Sequence, residues 1–512
     1  MKPQTAAARW EQLRDTAAIK RAEEFAKMTL PYIMRDPLKG EQADIEHDFQ
    51  SIGAVLTNNL SAKLVQALFP TGIPFFRSEL TDAIKNAAVG EDVDDGLLSA
   101  ALAQLDRKAT DRLFMNASLA KLTRVVKLLI ITGNALVYRD SSKATMVVWS
   151  MQSYSVRRDP TGQWQEIVLK QRFKAGDLDP AYADSLRAAG KNIKPETQVD
   201  LFTYLTRSKG TVYDICTAVH EIDGVVVGNG GSWPEHLFPY ICPTWNLADG
   251  DHYGRGHVED HIGDFAKLSL LSERLGMYEM ESLDILNIVN EQAGAVVDDY
   301  QDAETGDFVP GGVNAVTAYE RGDYNKIAAV NSSLAAVIQR LSMAFMYTGN
   351  TRDAERVTAE EIRQTASEAE ATLGGVYSLL AEGFQGPLAY ICLSEVSVEI
   401  LQGLIDKSHK PTIQTGIPAL SRSMAVQNLI NAAQVIAGFV PALKQVDRRF
   451  SVTKMVDMVL AAYSVDSSEL FQSPEEMAEE AKQLEQQAAQ TQAQQQQLVE
   501  QAGQVSQTIG AL

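Results

Sequence analysis

Two long stretches with apolar residues at helical spacing dominate the second half of the chain. Their apolar positions are Val258, Ile262, Phe265, Leu268, Leu271 and Leu275, then Ile327, Leu334, Ile338, Leu341 and Phe345. Each set lines one face of a helix. The intervening residues 287–323 are β-prone in short pieces, which glycine and proline interrupt at Gly306, Pro310, Gly311 and Gly312. The sequence therefore predicts two long helices that flank a compact β-containing segment.

The rest of the chain divides into helical and β-type regions. Residues 1–130 carry apolar positions at helical spacing, whereas residues 135–227 show strand-like runs. Within the β region, VVWSMQSYSVRRD and QWQEIVLKQRF flank Pro160-Thr161-Gly162, which predicts a hairpin. A later strand, GVVVG, is predicted to end at the glycine-rich residues 228–231. We expect an α+β fold that is mainly helical.

The C-terminal segment beyond Ser473 is rich in glutamine, glutamate and alanine. It keeps a heptad-like seam, whose members are Met477, Ala481, Leu484, Ala488, Thr491, Gln495, Leu498, Ala502 and Val505. Alanine, threonine and glutamine bury little surface, so this helix either needs neighbours or is partly disordered.

Charge and cysteine content narrow the classes of partner. The chain has 66 acidic residues against 46 lysines and arginines, a formal net charge of -20, which argues against a broad basic surface for nucleic acid. A narrow passage through which DNA slides remains compatible with this charge.

The cysteines Cys216, Cys242 and Cys392 match no metal-site spacing and are predicted to be reduced core residues. Residues 428–444 are too short and too polar to span a membrane, so we expect no membrane partner.

The motifs of common enzyme classes are missing from the sequence. There is no phosphate-binding G-x-x-x-x-G-K-[ST] loop and no G-x-S-x-G nucleophile elbow. His257 and His261 lie four residues apart with Glu259 and Asp260 between them, a spacing that can hold zinc. The H-E-x-x-H motif is absent because Val258 follows His257, so hydrogen-bonded structural histidines are the favoured alternative. We predict no metal, no cofactor and no enzymatic activity.

An arginine-rich stretch, NTRDAERVTAEEIRQ, occupies residues 350–364. Thr358 and Glu361 form a T-x-x-E capping box, which predicts a helix start at about Thr358. Arg352 and Arg356 then lie on the preceding loop. Taken alone, these arginines fit an exposed loop whose ion pairs with Asp353 and Glu355 contribute little to stability.

Several separated segments, in the same order, resemble the head-to-tail connector (portal) proteins of short-tailed, autographivirus-type bacteriophages. The resemblance runs from about residue 20 to residue 425. It rests on QSIGAVLTNNLSAKLVQALFPTGIPFFR, LLIITGNALVY, YSVRRDPTGQ, DHYGRGHVEDHIGDFAKLSLLSE, TGDFVPG, RLSMAFM, ERVTAEEIRQTASEAEATLGGVYSLLAEGFQGPL and PTIQTGIPALSRS. The combination of ERVTAEEI with the following LGGVYS and QGPL is the most specific of these.

The resemblance implies the portal fold of wing, stem, clip and crown, assembled as a dodecameric ring with a central channel. It implies a wing at 1–250, a first stem helix at 251–286, a clip at 287–321 and a second stem helix at 322–346. A channel loop would follow at 347–357, a wing helix and return at 358–465, and a crown at 466–512. Ring closure distinguishes this hypothesis from a helical scaffold or filament protein without a channel.

The resemblance also implies partners and channel residues. The partners are double-stranded DNA of any sequence, a terminase large subunit, major capsid and scaffolding proteins, a tail adaptor and internal core proteins. The expected location is a capsid vertex of the virion, after assembly in the cytoplasm of the host bacterium. Arg352 and Arg356 are expected to form rings around the DNA, and Lys326 and Arg340 in the stem are the other candidates for the channel.

Overall fold

The computed structural model of the protein describes residues 5–36, 45–70, 73–79, 95–116, 118–210, 214–290, 292, 296–320, 323–347, 359–373, 375–396 and 412–415. The chain divides into two compact units. Residues 1–80 and 108–421 form the first unit, and residues 81–107 and 422–512 form the second. Arg352 and Arg356, the segment 428–444 and the C-terminal heptad seam lie outside the described residues.

Helices make up most of the described N-terminal region, as predicted. They are α1 (Ala6–Leu13), α2 (Thr16–Lys27), α3 (Ile52–Leu68), α4 (Asp95–Phe114) and α5 (Ser118–Thr132), with strand β1 (Phe76–Glu79) between α3 and α4. Helix α2 begins where the Asp15 carboxylate accepts hydrogen bonds from the amides of Ala17 and Ala18. Helix α5 is almost wholly apolar along residues 125–131 and packs against α3 in the centre of the main core.

Two antiparallel sheets follow, formed by β2 (Leu136–Asp140), β3 (Thr145–Trp149), β4 (Tyr154–Arg158), β5 (Trp164–Lys174), β6 (Gln198–Ser208), β7 (Ile215–Ile222), β8 (Val225–Pro234) and β9 (Tyr240–Ile241). The first sheet has the order β3-β2-β9, and the second has the order β4-β5-β6-β7-β8. Helix α6 (Pro180–Ala188) connects β5 to β6. The predicted β region is thus confirmed, and it extends to residue 241.

The predicted hairpin is formed by β4 and β5. In its turn the Asp159 carboxylate accepts hydrogen bonds from the amide of Thr161 at 2.9 Å and the amide of Gln163 at 3.1 Å. Gly162 takes a positive φ of 82°. The run VVWSMQSYSVRRD is nevertheless not one strand, because its first residues belong to β3 in the other sheet.

Strand β8 runs through the glycine-rich residues 228–231 rather than ending there, so this expectation was wrong. A register shift opposite β8, between Ala218 and His220, is accommodated by left-handed φ values of 68° at Gly228 and 59° at Gly230. A side chain at Gly228 would also collide with the Tyr182 ring. The glycines therefore permit a bulge, and the strand continues to Pro234.

The two predicted long helices and the segment between them are present. The elements are α7 (His257–Asp260), α8 (Ile262–Leu283), β10 (Ile285–Val289), α9 (Val297–Gln301), β11 (Val316–Glu320) and α10 (Tyr324–Ala344). Strands β10 and β11 pair antiparallel, with Ile285 opposite Glu320 and Val289 opposite Val316. The two-stranded sheet therefore lies at the end of the helix pair where α8 ends and α10 begins.

The last described elements are α11 (Ala359–Thr372), α12 (Val376–Leu380), a π-helical turn (Ala381–Gln385), α13 (Gly386–Val396) and β12 (Thr412–Thr415). The start of α11 agrees with the helix predicted at about Thr358, although Thr358 itself lies outside the described residues. Strand β12 pairs antiparallel with β1. All three cysteines are free and buried, as predicted, and burial raises the pKa of the Cys216 thiol to about 12.

Candidate functional site

The helices α8 and α10 run antiparallel and are joined by polar contacts at both ends. Near the first end, Arg340 of α10 holds Asp264 of α8 in a two-pronged ion pair, with N–O distances of 2.6 and 3.2 Å. At the other end, the amide of Asp323 donates a hydrogen bond to the Tyr278 hydroxyl at 2.8 Å. The hydrogen bond from Arg340 holds the pKa of Asp264 below its usual value.

The predicted channel cations differ in how they are held. Arg340 forms an ion pair with Asp264, although about half of the Arg340 side chain is exposed. Lys326 is 73% exposed, and its ammonium group lies 3.9 Å from the Asp323 carboxylate. Fourteen residues of helix separate the two, about 21 Å along the axis, so the structure does not bring them together. Helix α10 contains these two cations and no acidic residue.

The C-terminal end of α10 is anchored by side chains from two other helices. His257 donates from Nε2 to the carbonyl oxygen of Ala344 at 3.0 Å. Asn59 donates to the carbonyls of Phe345 and Met346 at 3.1 and 3.2 Å, and Lys63 donates to that of Met346 at 2.5 Å. Cationic and N–H groups suit the orphan carbonyls at a helix C-terminus.

This anchor fixes the C-terminal end of α10 at Tyr347. Met346 adopts a left-handed φ of 54°, and the amide of Tyr347 donates to the carbonyl of Ser342 at 2.7 Å, which closes the helix end. Asn59 and Lys63 were not predicted from the sequence. No pattern in α3 marks them, because the same helix also carries the polar residues Thr57, Asn58, Ser61 and Gln66.

The paired histidines belong to an aromatic cluster at the same junction. The His257 ring lies 4.7 Å from that of Phe345, 4.8 Å from that of His261 and 5.7 Å from that of Trp245, measured between centroids. Phe265 packs edge-on against Phe345. Across the part of the chain that the structure describes, no group of three or more metal-ligating residues gathers here or elsewhere. The His257 contacts are those of a structural histidine.

We expect the stability of this junction to fall on mild acidification. Burial lowers the pKa of His257 to about 4, and His261 adds to this shift. The unfolded chain, with a histidine pKa of about 6.5, binds the proton first as pH falls. The contribution of His257 is therefore complete above about pH 6.5 and is lost between about pH 6.5 and 4, by roughly 3 kcal/mol.

Thermal midpoints measured from pH 8 to pH 4 test this expectation. The variant His257→Gln keeps a neutral N–H donor but does not titrate, so its midpoint should fall less over this range than that of the unchanged protein. The exposed His47 provides the matched control, His47→Gln. Equal pH profiles for His257→Gln and His47→Gln would contradict the prediction.

The helix pair also carries an unusual amount of exposed apolar surface. Along the second half of α8 and into β10, the exposed apolar side chains include Met277, Met280, Leu283, Ile285 and Ile288. Helix α10, from Asn325 to Ala344, is long and apolar enough to cross a membrane by length and composition alone, with 11% of it buried. Apolar surface of this extent marks an interaction face.

Similarity to known proteins identifies the family. The profile described as "Bacteriophage head to tail connecting protein" matches residues 3–470. The chain belongs to this family. The portal protein of Pseudomonas phage phiKMV is 62% identical over 508 residues, covering 99% of each chain. The portal protein of Enterobacteria phage SP6 is 32% identical over 439 residues, covering 84% of this chain and 82% of the relative.

A solved structure is also similar, though distantly. The neck of an empty GTA particle, computed with C6 symmetry, gives a TM-score of 0.33 at 11% identity, over 74% of this chain and 86% of that chain. The family assignment does not depend on it. The assignment confirms the predicted resemblance to portal proteins and a connecting, non-enzymatic role.

Proposed function

We propose that this chain forms the portal ring at one vertex of a phage capsid. Double-stranded DNA passes through the central channel when a separate terminase motor packages it, and again when the genome is ejected. The observation that carries this proposal is the 62% identity to a portal protein over 508 residues. At that identity and coverage, the two chains share a fold and an assembly role rather than a single motif.

The arrangement of α8, α10 and the sheet between them supports the division into stem and clip. In our proposal the stem comprises 251–286 and 322–346, and the clip comprises 287–321. The wing comprises 1–250 and 358–465, and the crown comprises 466–512. Support comes from the antiparallel helix pair, which is fastened by Arg340 to Asp264 and ends in the β10–β11 sheet.

Neighbouring copies of this chain cover the exposed apolar faces in the proposed dodecameric ring. Leu283 is 81% exposed and Met280 is 74% exposed. Burying such side chains contributes about 1.5–3 kcal/mol each. Repetition around a closed ring lets one face of each stem cover another without leaving an open edge. Contact with neighbouring copies also accounts for the apolar composition of α10 without a membrane.

The proposed channel lining combines few cations with neutral helix surface. In this proposal Arg352 and Arg356 belong to the channel loop 347–357, whose first residue, Tyr347, closes the end of α10 through its amide. Guanidinium groups bind phosphates without reading the bases, as a channel for any DNA sequence requires. Each phosphate contact strengthens salt-sensitive binding, so a wall of many cations would hold the DNA rather than pass it. Lys326 is exposed and adds a further contact in the stem, whereas Arg340 chiefly fastens the helix pair.

The portal role implies the other partners. A terminase large subunit docks during packaging, and a tail adaptor docks afterwards. Major capsid and scaffolding proteins surround the ring, and internal core proteins contact it from inside the head. Membership of a head-to-tail connecting family supports this placement in the virion. Assembly takes place in the cytoplasm of the host bacterium.

Electron microscopy of the purified protein tests the proposal. We expect class averages of closed rings, about twelve subunits around a central hole. The variant Leu283→Glu places a charge on the exposed apolar end of α8 and should prevent or weaken ring closure without unfolding the subunit. Glu279→Gln changes a charge on the same helix and serves as the control, which should form normal rings.

Monomers or open filaments of the unchanged protein, at all salt and protein concentrations, would contradict the portal proposal and favour a scaffold or filament protein. Normal rings from Leu283→Glu would show that neighbouring copies leave this part of α8 uncovered.

A further inference from the structure

The segment between the two long helices contains acidic residues and, as far as Glu320, no basic ones. Residues 284–320, here called the tip segment, contain no lysine, arginine or histidine. The tip segment contains eight acidic residues: Asp284, Glu291, Asp298, Asp299, Asp302, Glu304, Asp307 and Glu320. A negatively charged surface attracts positively charged partners and repels negatively charged ones.

Among the exposed apolar side chains of this acidic segment, two are almost completely exposed to solvent. Phe308 is fully exposed, and Val313 is 94% exposed. Phe308 is flanked by Asp307 on one side and by Val309 and Pro310 on the other. Aromatic side chains that become buried in a partner's pocket carry a large share of the binding energy in many interfaces.

The loop that presents Phe308 is held in shape by hydrogen bonds on both sides. The amide of Glu304 donates to the Asp307 carboxylate at 2.8 Å, and the amide of Asp307 donates to the Glu304 carbonyl at 3.1 Å. On the other side, the Tyr300 hydroxyl donates to the carbonyl of Pro310 at 3.1 Å. A loop that is already ordered loses less entropy when it binds.

We propose that the Phe308 loop docks into an apolar pocket of a separate protein whose surface around that pocket is rich in lysine and arginine. The acidic residues of the tip segment face that basic rim, and Phe308 fills the pocket. The inference rests on the proposed function, in which this segment is the clip. A second copy of the chain is a poor occupant for this loop, because its own tip segment is equally acidic and carries no lysine, arginine or histidine.

The test measures binding of assembled full-length rings to two purified probes, the tail adaptor and the terminase large subunit of the same phage. We expect Phe308→Ala to weaken binding of at least one probe by about tenfold or more. Phe49→Ala removes an exposed phenylalanine outside the tip segment and should leave binding unchanged. Asp298→Asn combined with Asp299→Asn should reduce the dependence of that same affinity on salt concentration.

Ring formation by each variant is checked first by electron microscopy. If Phe308→Ala rings bind both probes as tightly as unchanged rings, the proposal is wrong. It is also wrong if Phe308→Ala prevents ring closure while Phe49→Ala does not, because the loop would then dock on a second copy. If the unchanged protein forms no rings, the portal proposal fails. Binding of the probes to unassembled subunits, with and without Phe308, would then decide the present inference separately.

Discussion

Replacing both Arg352 and Arg356 with glutamate should produce particles that package or retain far less DNA than particles with the unchanged protein. A hydrogen bond to a charged group contributes about 1.5–3 kcal/mol, so each phosphate contact proposed for these arginines should, when lost, weaken DNA binding roughly tenfold or more. Reversal of the charge adds repulsion between the loop and the phosphates. The defect should be the same for every DNA sequence, because phosphate contacts carry no base information.

The measurement is the DNA content of particles from cells that supply the variant protein to a phage lacking its own copy. Arg187→Glu combined with Lys174→Glu makes the same change of charge on exposed residues of α6 and β5, and is the matched control. The Arg352/Arg356 variant and the Arg187/Lys174 control should both form normal rings. Equal DNA content in the Arg352/Arg356 variant and the control would remove these arginines from the channel assignment.

The second large effect concerns stability. Arg139 on β2 and Glu395 on α13 form a two-pronged ion pair at 2.9 and 3.0 Å, and both side chains are fully buried. The remaining N–H groups of Arg139 donate to the Ser118 hydroxyl and to the carbonyls of Ala144 and Arg112. Arg139→Met leaves the Glu395 carboxylate buried without its main partner, and should cost about 3–5 kcal/mol.

Thermal midpoints of purified protein would measure this loss. Arg139→Lys should also be strongly destabilised, because an ammonium group cannot reproduce the planar fork of hydrogen bonds. The double variant Arg139→Met with Glu395→Leu removes both charges and should recover much of the loss. A double variant as unstable as Arg139→Met alone would show that lost packing, rather than an unpaired charge, is responsible.

The sequence predicted those elements that depend on local chemistry. The long helices α8 and α10 followed from apolar spacing, and the β4–β5 hairpin followed from its turn residues. The helix that begins at Ala359 agreed with the T-x-x-E motif. Each of these signals lies within one element or one turn, because backbone periodicity and turn conformation are set by near neighbours. The continuation of β8 through Gly228 was missed because only the opposite strand and Tyr182 show the glycines to be a bulge.

Membership of the family was also contained in the sequence, in motifs spread along most of the chain. The contacts that anchor the C-terminal end of α10 could not be predicted from the sequence. Asn59, Lys63 and His257 reach its last carbonyls from distant parts of the sequence, and no local pattern distinguishes them from other polar residues. The same holds for Arg139 and Glu395, which are 256 residues apart.

The sequence by itself thus determined the helices, the hairpin and the family, because these depend on periodicity, turn chemistry and shared motifs. Only the tertiary structure decided which polar groups meet. A buried N–H, carbonyl or carboxylate must find a partner wherever packing places one, and that choice is made by contacts between distant segments.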